Sequence, residues 1–150
     1  MVKDIPLAEL TLRRYEKPYD APKRELIRKV CLSLGLLQAG DSRDIIVDIL
    51  MILEEARKTK TWLSSFEIRD KVKVSRKESS QGELGLAESN IRRQLKRLRD
   101  AMLVDKKENK YCLSEFSSIS EIFETKIEKF LLPQILERIK EYLDKLDKSQ

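Results

Sequence analysis

The chain has 150 residues, 41% of them apolar, with 31 Lys and Arg against 26 Asp and Glu, no His and two Cys. That length suits one domain with a real core, or a small domain plus an extension. The missing His removes the commonest acid–base residue and metal ligand, and two Cys are too few for a disulfide framework or a thiolate metal site.

Charged residues make up 38% of the chain, above the usual quarter, with the bias towards Glu, Lys and Arg found in hyperthermophiles. The net charge of +5 is unevenly spread. It is 8 − 5 = +3 over residues 1–29, 17 − 13 = +4 over 30–114 and 6 − 8 = −2 over 115–150. A basic body with a mildly acidic tail favours a polyanionic partner. No basic region followed by an apolar run marks a signal peptide, and the longest apolar stretch, "IIVDILMIL", is broken by Asp48, so a cytoplasmic protein without membrane contact is expected.

In chain order, "PLAELTLRRY" places Leu7, Leu10 and Arg14 at helical spacing before "EKPYDAP" breaks the pattern. Pro22 suits a first helical position, and the helix predicted after it carries a stripe of Leu26, Ile27, Val30 and Leu34 up to a stop at Gly35. Gly40 supports a turn, and Asp41 or Ser42 can cap a helix over roughly 43–58. Ile46, Ile49, Leu50 and Leu53, widened by Ile45, Met51 and Ile52, make this the expected central helix. Trp62 and Leu63 read as a short extended piece, and "SSFE" from Ser64 to Glu67 as a capping box opening a short helix with Phe66, Ile68 and Val72.

A polar loop is expected over Val74–Leu86, with Arg76 and Lys77 in it. Ile91, Leu95, Leu98 and Met102, spaced 4, 3 and 4, predict a helix over 88–102. A β-hairpin follows, Leu103–Lys106 and Lys110–Leu113 around Glu108 and Asn109. Residues 118–146 read as helix.

The segments "WLSSFEIRDKV", "GLAESNIRRQLKRL" and "MLVDKKENKYCLS", in this order, resemble the winged helix-turn-helix superfamily of archaeal and bacterial transcriptional regulators. The resemblance covers about residues 42–114. It implies a mainly α fold with a small hairpin wing; residues 1–41 and 115–150 lie outside it and read, from their own patterns, as a helical N-terminal extension and a helical C-terminal dimerisation segment. It also implies a recognition helix at 88–102 and a wing at the hairpin. Two features depart from the family pattern: the long Val74–Leu86 connection, and Ala87 where Ser or Thr often starts the recognition helix.

At 100° per residue, Ser89, Arg93 and Lys96 lie opposite the Ile91 stripe, flanked by Asn90 and Arg97 on one side and by Arg92 and Arg99 on the other. Such a helix can enter a major groove, where Arg donates two bonds to guanine and Asn pairs with adenine. Ser89, Asn90 and Arg93 are the expected base-facing residues, with Arg92, Lys96 and Arg97 on phosphates or base edges. Lys106, Lys107 and Lys110 of the hairpin suit the backbone or minor groove. The competing reading is a solvated arginine-rich helix, but no acid lies between Ser89 and Arg99 to make the usual i,i+4 pairs. Of the basic residues nearer the N-terminus, Arg13 and Arg14 could track a duplex; Lys23, Arg24, Arg28 and Lys29 read as surface of a support helix.

In the tail, Leu132, Ile135, Ile139, Tyr142 and Leu146 follow spacings of 3, 4, 3 and 4, with Leu136 and Leu143 alongside. Ile119, Phe123, Ile127 and Phe130 repeat the rhythm upstream, with Pro133 as a possible kink. This is a seam of about two heptads, expected to form a homodimer rather than fold back. The sequence shows no phosphate loop, no metal motif and few aromatic platforms for single strands. The functional expectation is therefore a sequence-specific double-stranded DNA-binding transcriptional regulator, without cofactor or enzymatic activity. The alternatives are a winged-helix protein-interaction module and an RNA-binding protein. Operator and effector are not encoded in any motif.

Overall fold

The computed structural model describes residues 4–41, 43–78 and 86–149. The protein is mainly helical, with one small antiparallel sheet. Its elements are α1 (Lys23–Ser33), α2 (Ile45–Lys58), β1 (Leu63–Ser64), α3 (Ser65–Glu78), α4 (Glu88–Asp100), β2 (Val104–Lys107) and β3 (Lys110–Leu113). A C-terminal helix follows, made of α5 (Ile119–Ile122), a π-helical stretch (Phe123–Leu131) and α6 (Leu132–Asp147).

α2 is the centre, because its apolar residues leave only a narrow side for solvent. Ile45, Ile46, Val47, Ile49, Leu50 and Leu53 are all buried, and α1, α3, α4 and β3 pack around them. Asp48, which interrupts the apolar run in sequence, is buried too. It accepts hydrogen bonds from Arg24 of α1 and Arg76 of α3, and Asp44 joins the same cluster.

Three helices end in the same hydrogen-bonded pattern, in which a residue at positive φ lets two amides fold back onto the last turn. Gly35 (φ 75) ends α1, with Leu36 N–H donating to Cys31 O at 2.8 Å. Lys60 (φ 50) ends α2, with Thr61 N–H donating to Ala56 O at 3.0 Å. Met102 (φ 68) ends α4, with Leu103 N–H donating to Leu98 O at 3.0 Å.

The sheet has the order β1-β3-β2. Lys107 pairs with Lys110, and the two residues between them, Glu108 (φ 51) and Asn109 (φ 67), form the left-handed two-residue turn that matches strand twist. β1 adds to β3 through Leu63–Tyr111 and Ser64–Lys110. The expected capping box forms: Ser64 N–H donates to Glu67 Oε1 at 3.0 Å and Glu67 N–H to Ser64 Oγ at 3.1 Å.

Several expectations fail for physical reasons. Residues 5–20 form no helix. Leu7 is 95% exposed, and Arg13 instead holds the segment down through its N–H on Ser33 O and its guanidinium on Leu32 O and Leu37 O. Pro22 precedes the first turn of α1 rather than entering it. α1 buries Ile27, Cys31 and Leu32, so the expected stripe is rotated and Leu26 is exposed. The Val74–Leu86 loop is in part helix, because α3 runs on to Glu78 and its last turn is tied to α2 by Arg76. The rest of that loop, 79–85, and the Ser42 cap lie outside the described residues. Asp44 flanks α2, with no side-chain cap bond. Met102 leaves the α4 stripe because it turns left-handed after the helix. Cys31 and Cys112 are buried free thiols.

In the C-terminal helix Ile122, Ile127 and Leu131 are buried; of the expected stripe Ile127 is buried, Ile119 and Phe123 are half-buried against the core, and Phe130 is 50% exposed. A π-helix bonds i to i+5, so its stripes recur every four to five residues rather than every three to four. The widened winding lies immediately before Pro133, whose missing N–H cannot continue a regular ladder. Among the described residues no helix is long and apolar enough to cross a membrane.

Candidate nucleic-acid interface

α4 owes its orientation to one apolar stripe. Ile91, Leu95 and Leu98 are fully buried, which turns the opposite side outward. Ser89, Arg92, Arg93, Lys96 and Arg99 are exposed there, and Asn90, Gln94 and Arg97 are half-buried along one edge. Four of the six sequence-predicted helix positions therefore share an exposed surface with Arg99, while Asn90 and Arg97 sit at its half-buried margin, Arg97 near Cys31 of α1.

The side chains on this surface are tied together. Arg93 Nη2 donates to Asn90 Oδ1 at 2.6 Å, Gln94 Nε2 donates to the same oxygen at 3.2 Å, and Arg97 Nη1 donates to Gln94 Oε1 at 2.9 Å. Gln94 was not among the expected residues. The signal for it is its spacing, four after Asn90 and three before Arg97, the neighbours on a helical surface.

The flanking acids take part as well. Arg92 Nε lies 3.3 Å from Glu88 Oε1, and Lys96 Nζ lies 3.2 Å from Asp100 Oδ2. The absence of acids between Ser89 and Arg99 therefore does not leave the helix unpaired, since the residues just outside that window reach back in. Glu88 also accepts a hydrogen bond from the Ser65 hydroxyl, which fastens the first turn of α4 to the first turn of α3. Arg69 Nε adds a bond to Leu86 O at 2.6 Å. These contacts start α4 in place of a capping side chain at Ala87.

Phe66, read from sequence only as one of the apolar residues of the short helix, is a second residue that sequence reasoning did not bring to the interface. It is 57% exposed, with the Arg92 guanidinium 5.7 Å from its ring centroid. An apolar ring beside a half-paired arginine therefore borders the cationic surface.

The hairpin lysines, Lys106, Lys107 and Lys110, are all exposed. Lys106 Nζ stands 5.7 Å from the Tyr111 ring centroid. Lys110 lies near Glu67, whose carboxyl is held below its usual range first by the Ser64 N–H, then by the Ser64 side chain, with Lys110 and Lys71 adding to this. The hairpin tip thus neighbours the first turn of α3.

The basic residues nearer the N-terminus are otherwise engaged. Lys23 reaches Glu54 at 2.5 Å and Glu55 at 3.1 Å, Arg24 reaches Asp44 at 2.9 Å, and Lys29 reaches Glu16 at 2.5 Å. Arg28 donates to Asp41 O at 3.3 Å, and Arg76 is buried against Asp48. Arg13 is spent on backbone carbonyls, whereas Arg14 is exposed.

In the tail, Leu136, Ile139, Tyr142, Leu143 and Leu146 are exposed, and Leu132 and Ile135 are half-buried. Among the described residues no group of three or more His, Cys, Asp or Glu is placed to hold a metal ion. The chain matches no family model, no curated protein and no solved structure.

Proposed function

We propose that the protein is a winged helix-turn-helix transcriptional regulator that binds double-stranded DNA as a homodimer. The observation that carries this reading is the polarity of α4, which is apolar and fully buried on one side, cationic and exposed on the other. The order of α2, β1, α3, α4 and the β2–β3 hairpin, with β1 paired to β3, supports it.

In this mechanism the first turns of α4 enter the major groove. Ser89, Asn90 and Arg93 face base edges, with Arg93 exchanging its bond to Asn90 for a guanine. Arg92, Lys96 and Arg97 meet phosphates or base edges, and Lys106, Lys107 and Lys110 hold the flanking backbone. A two-fold dimer through α6 presents two such helices to half-sites about 34–36 Å apart.

Selection from random duplexes, followed by fluorescence anisotropy at several salt concentrations, tests this. A recovered consensus with half-site symmetry, and affinity that falls steeply with salt, is the expected result. The second reading, a protein-interaction module, is favoured by the ion pairs that already neutralise Arg92 and Lys96 and by the exposed apolar residues of α6. It predicts no consensus, and duplex binding that is weak and indifferent to substitutions on α4.

A further inference from the structure

Ser65, Phe66, Glu88 and Arg92 tie the starts of α3 and α4 into one array. The Ser65 hydroxyl donates to Glu88 Oε1, and the same oxygen lies 3.3 Å from Arg92 Nε. The Phe66 ring centroid lies 5.7 Å from the Arg92 guanidinium carbon. Ser65 is buried and the Glu88 side chain is only 23% exposed, so the carboxylate is a fixed point of the fold. Arg92 is the outward member, with 58% of its side chain exposed.

The array carries a cost. Glu88 Oε2 is buried and meets no hydrogen-bond donor among the described residues. A buried acceptor left unpaired destabilises a fold, so its retention calls for a compensating role. Holding Arg92 is such a role. The carboxylate draws Nε, and the Phe66 ring meets the guanidinium without using any of its in-plane donors. The ion pair is closest at Nε, which leaves the terminal nitrogens, Nη1 and Nη2, for a ligand.

Charge selects that ligand. A phosphate rewards net positive charge, but Glu88 offsets the charge of Arg92 and repels an anion. The edge of a guanine carries no net charge and rewards two directed donors, at O6 and N7. Arg93 differs, because its Nη2 is bonded to Asn90 Oδ1 at 2.6 Å and must release it first.

We infer that Arg92 is a guanine-reading residue of α4, and that Glu88 and Phe66 are positioning residues that fix its guanidinium before DNA arrives. This rests on the DNA-binding reading above and chooses base edge over phosphate for Arg92. Ordering a long side chain in advance removes a cost that binding otherwise bears.

Selection from a pool of random-sequence duplexes, with anisotropy titrations across salt concentrations, tests this with the full chain. The parent is compared with R92A, F66L, F66W and E88Q. Phe66 is exposed, so its variants leave the core untouched. R92A is expected to lose preference at one G·C pair of the consensus. F66L is expected to weaken that same preference about two- to tenfold and leave the other positions and the salt slope unchanged. F66W, which keeps an aromatic face, retains it, and F66L adds nothing in the R92A background. E88Q is expected to weaken the same preference while steepening the salt dependence, because it frees the charge of Arg92 for phosphates. If R92A keeps the parent's consensus but binds all duplexes more weakly, with a salt slope smaller by about one counterion, Arg92 is a phosphate contact and the assignment is overturned while DNA binding stands. Preference lost in R92A but intact in F66L or E88Q overturns the positioning roles. A parent chain that yields no consensus removes the DNA-binding reading and this assignment together.

Discussion

Arg76 and Asp48 form an ion pair inside the protein, with Arg76 Nη1 2.5 Å from Asp48 Oδ2 and each side chain no more than 5% exposed. The pair joins the last turns of α3 to the first turn of α2, and Arg24 of α1 binds the same carboxylate. Removing Asp48 takes from Arg76 its shorter ion pair and leaves Asp44 at 3.4 Å to balance two buried or part-buried guanidinium groups, a loss approaching the roughly 3–5 kcal/mol of a broken buried pair. Asp48→Ala is therefore expected to lower the urea midpoint sharply without changing the denaturant slope. Asp48→Ala combined with Arg76→Met is expected to recover part of that loss. A double variant weaker than the single one contradicts the account of an under-compensated buried charge.

Lys60 and Gly35 occupy equivalent left-handed positions with opposite consequences. Lys60 is exposed, so Lys60→Gly removes the steric cost of its φ of 50 and loses no packing. A gain of about 1 kcal/mol in unfolding free energy is expected. Gly35→Ala is expected to destabilise, because its new Cβ meets Thr11 Cβ at 2.6 Å as well as the unfavourable φ. Thermal unfolding of both variants checks the two signs together.

The capping box predicts a pH dependence. The Glu67 carboxyl is held below its ordinary value in the folded state, so its contribution is present above about pH 4.5 and is lost as pH falls through the lowered folded value. The stability difference between the parent and Glu67→Gln should be constant near neutral pH and shrink below pH 4.5. Ser64→Ala, which removes the reciprocal acceptor, should cost about 1 kcal/mol. A Glu67→Gln difference that stays flat into acid rules out the ionised carboxylate as the active partner.

On the DNA-binding reading, Arg93→Ala should weaken binding to a selected duplex by about 1–3 kcal/mol and relax preference at one base pair. Lys107→Ala should instead weaken all duplexes alike and reduce the salt slope by about one counterion. Unchanged binding in both variants removes α4 and the hairpin from the interface. Leu95→Ala provides the folding control, since it opens a cavity under the same helix and costs about 2–5 kcal/mol.

What sequence periodicity shows here depends on how far an element follows one regular geometry. α4 obeys the 3.6-residue repeat, so Ile91, Leu95 and Leu98 were readable as its buried side, and the outward cations followed. The hairpin was readable because Glu108 and Asn109 sit between alternating strands. The Asp48–Arg76 pair was not, because two charged residues 28 positions apart resemble surface until a fold brings them together. Arg76 was accordingly placed in a loop. Residues 5–20 misled for the opposite reason. Their apolar spacing suggests a helix, but Arg13 bonds to the carbonyls that close α1 hold them in an irregular path. Phe66 and Gln94 became part of the candidate interface only once α3 and α4 were seen to share their first turns.

The π-helical stretch Phe123–Leu131 holds a residue in reserve. Ile122 and Ile127, five positions apart, are both buried, and in this wider winding five residues make little more than one turn. With the exposed Thr125 deleted, four residues in α-helical winding span the same two anchors, so α6 keeps its bearing. A deletion inside α6 has no such slack and turns everything beyond it by about 100°. The two halves of one continuous helix thus differ in their tolerance of the same genetic event.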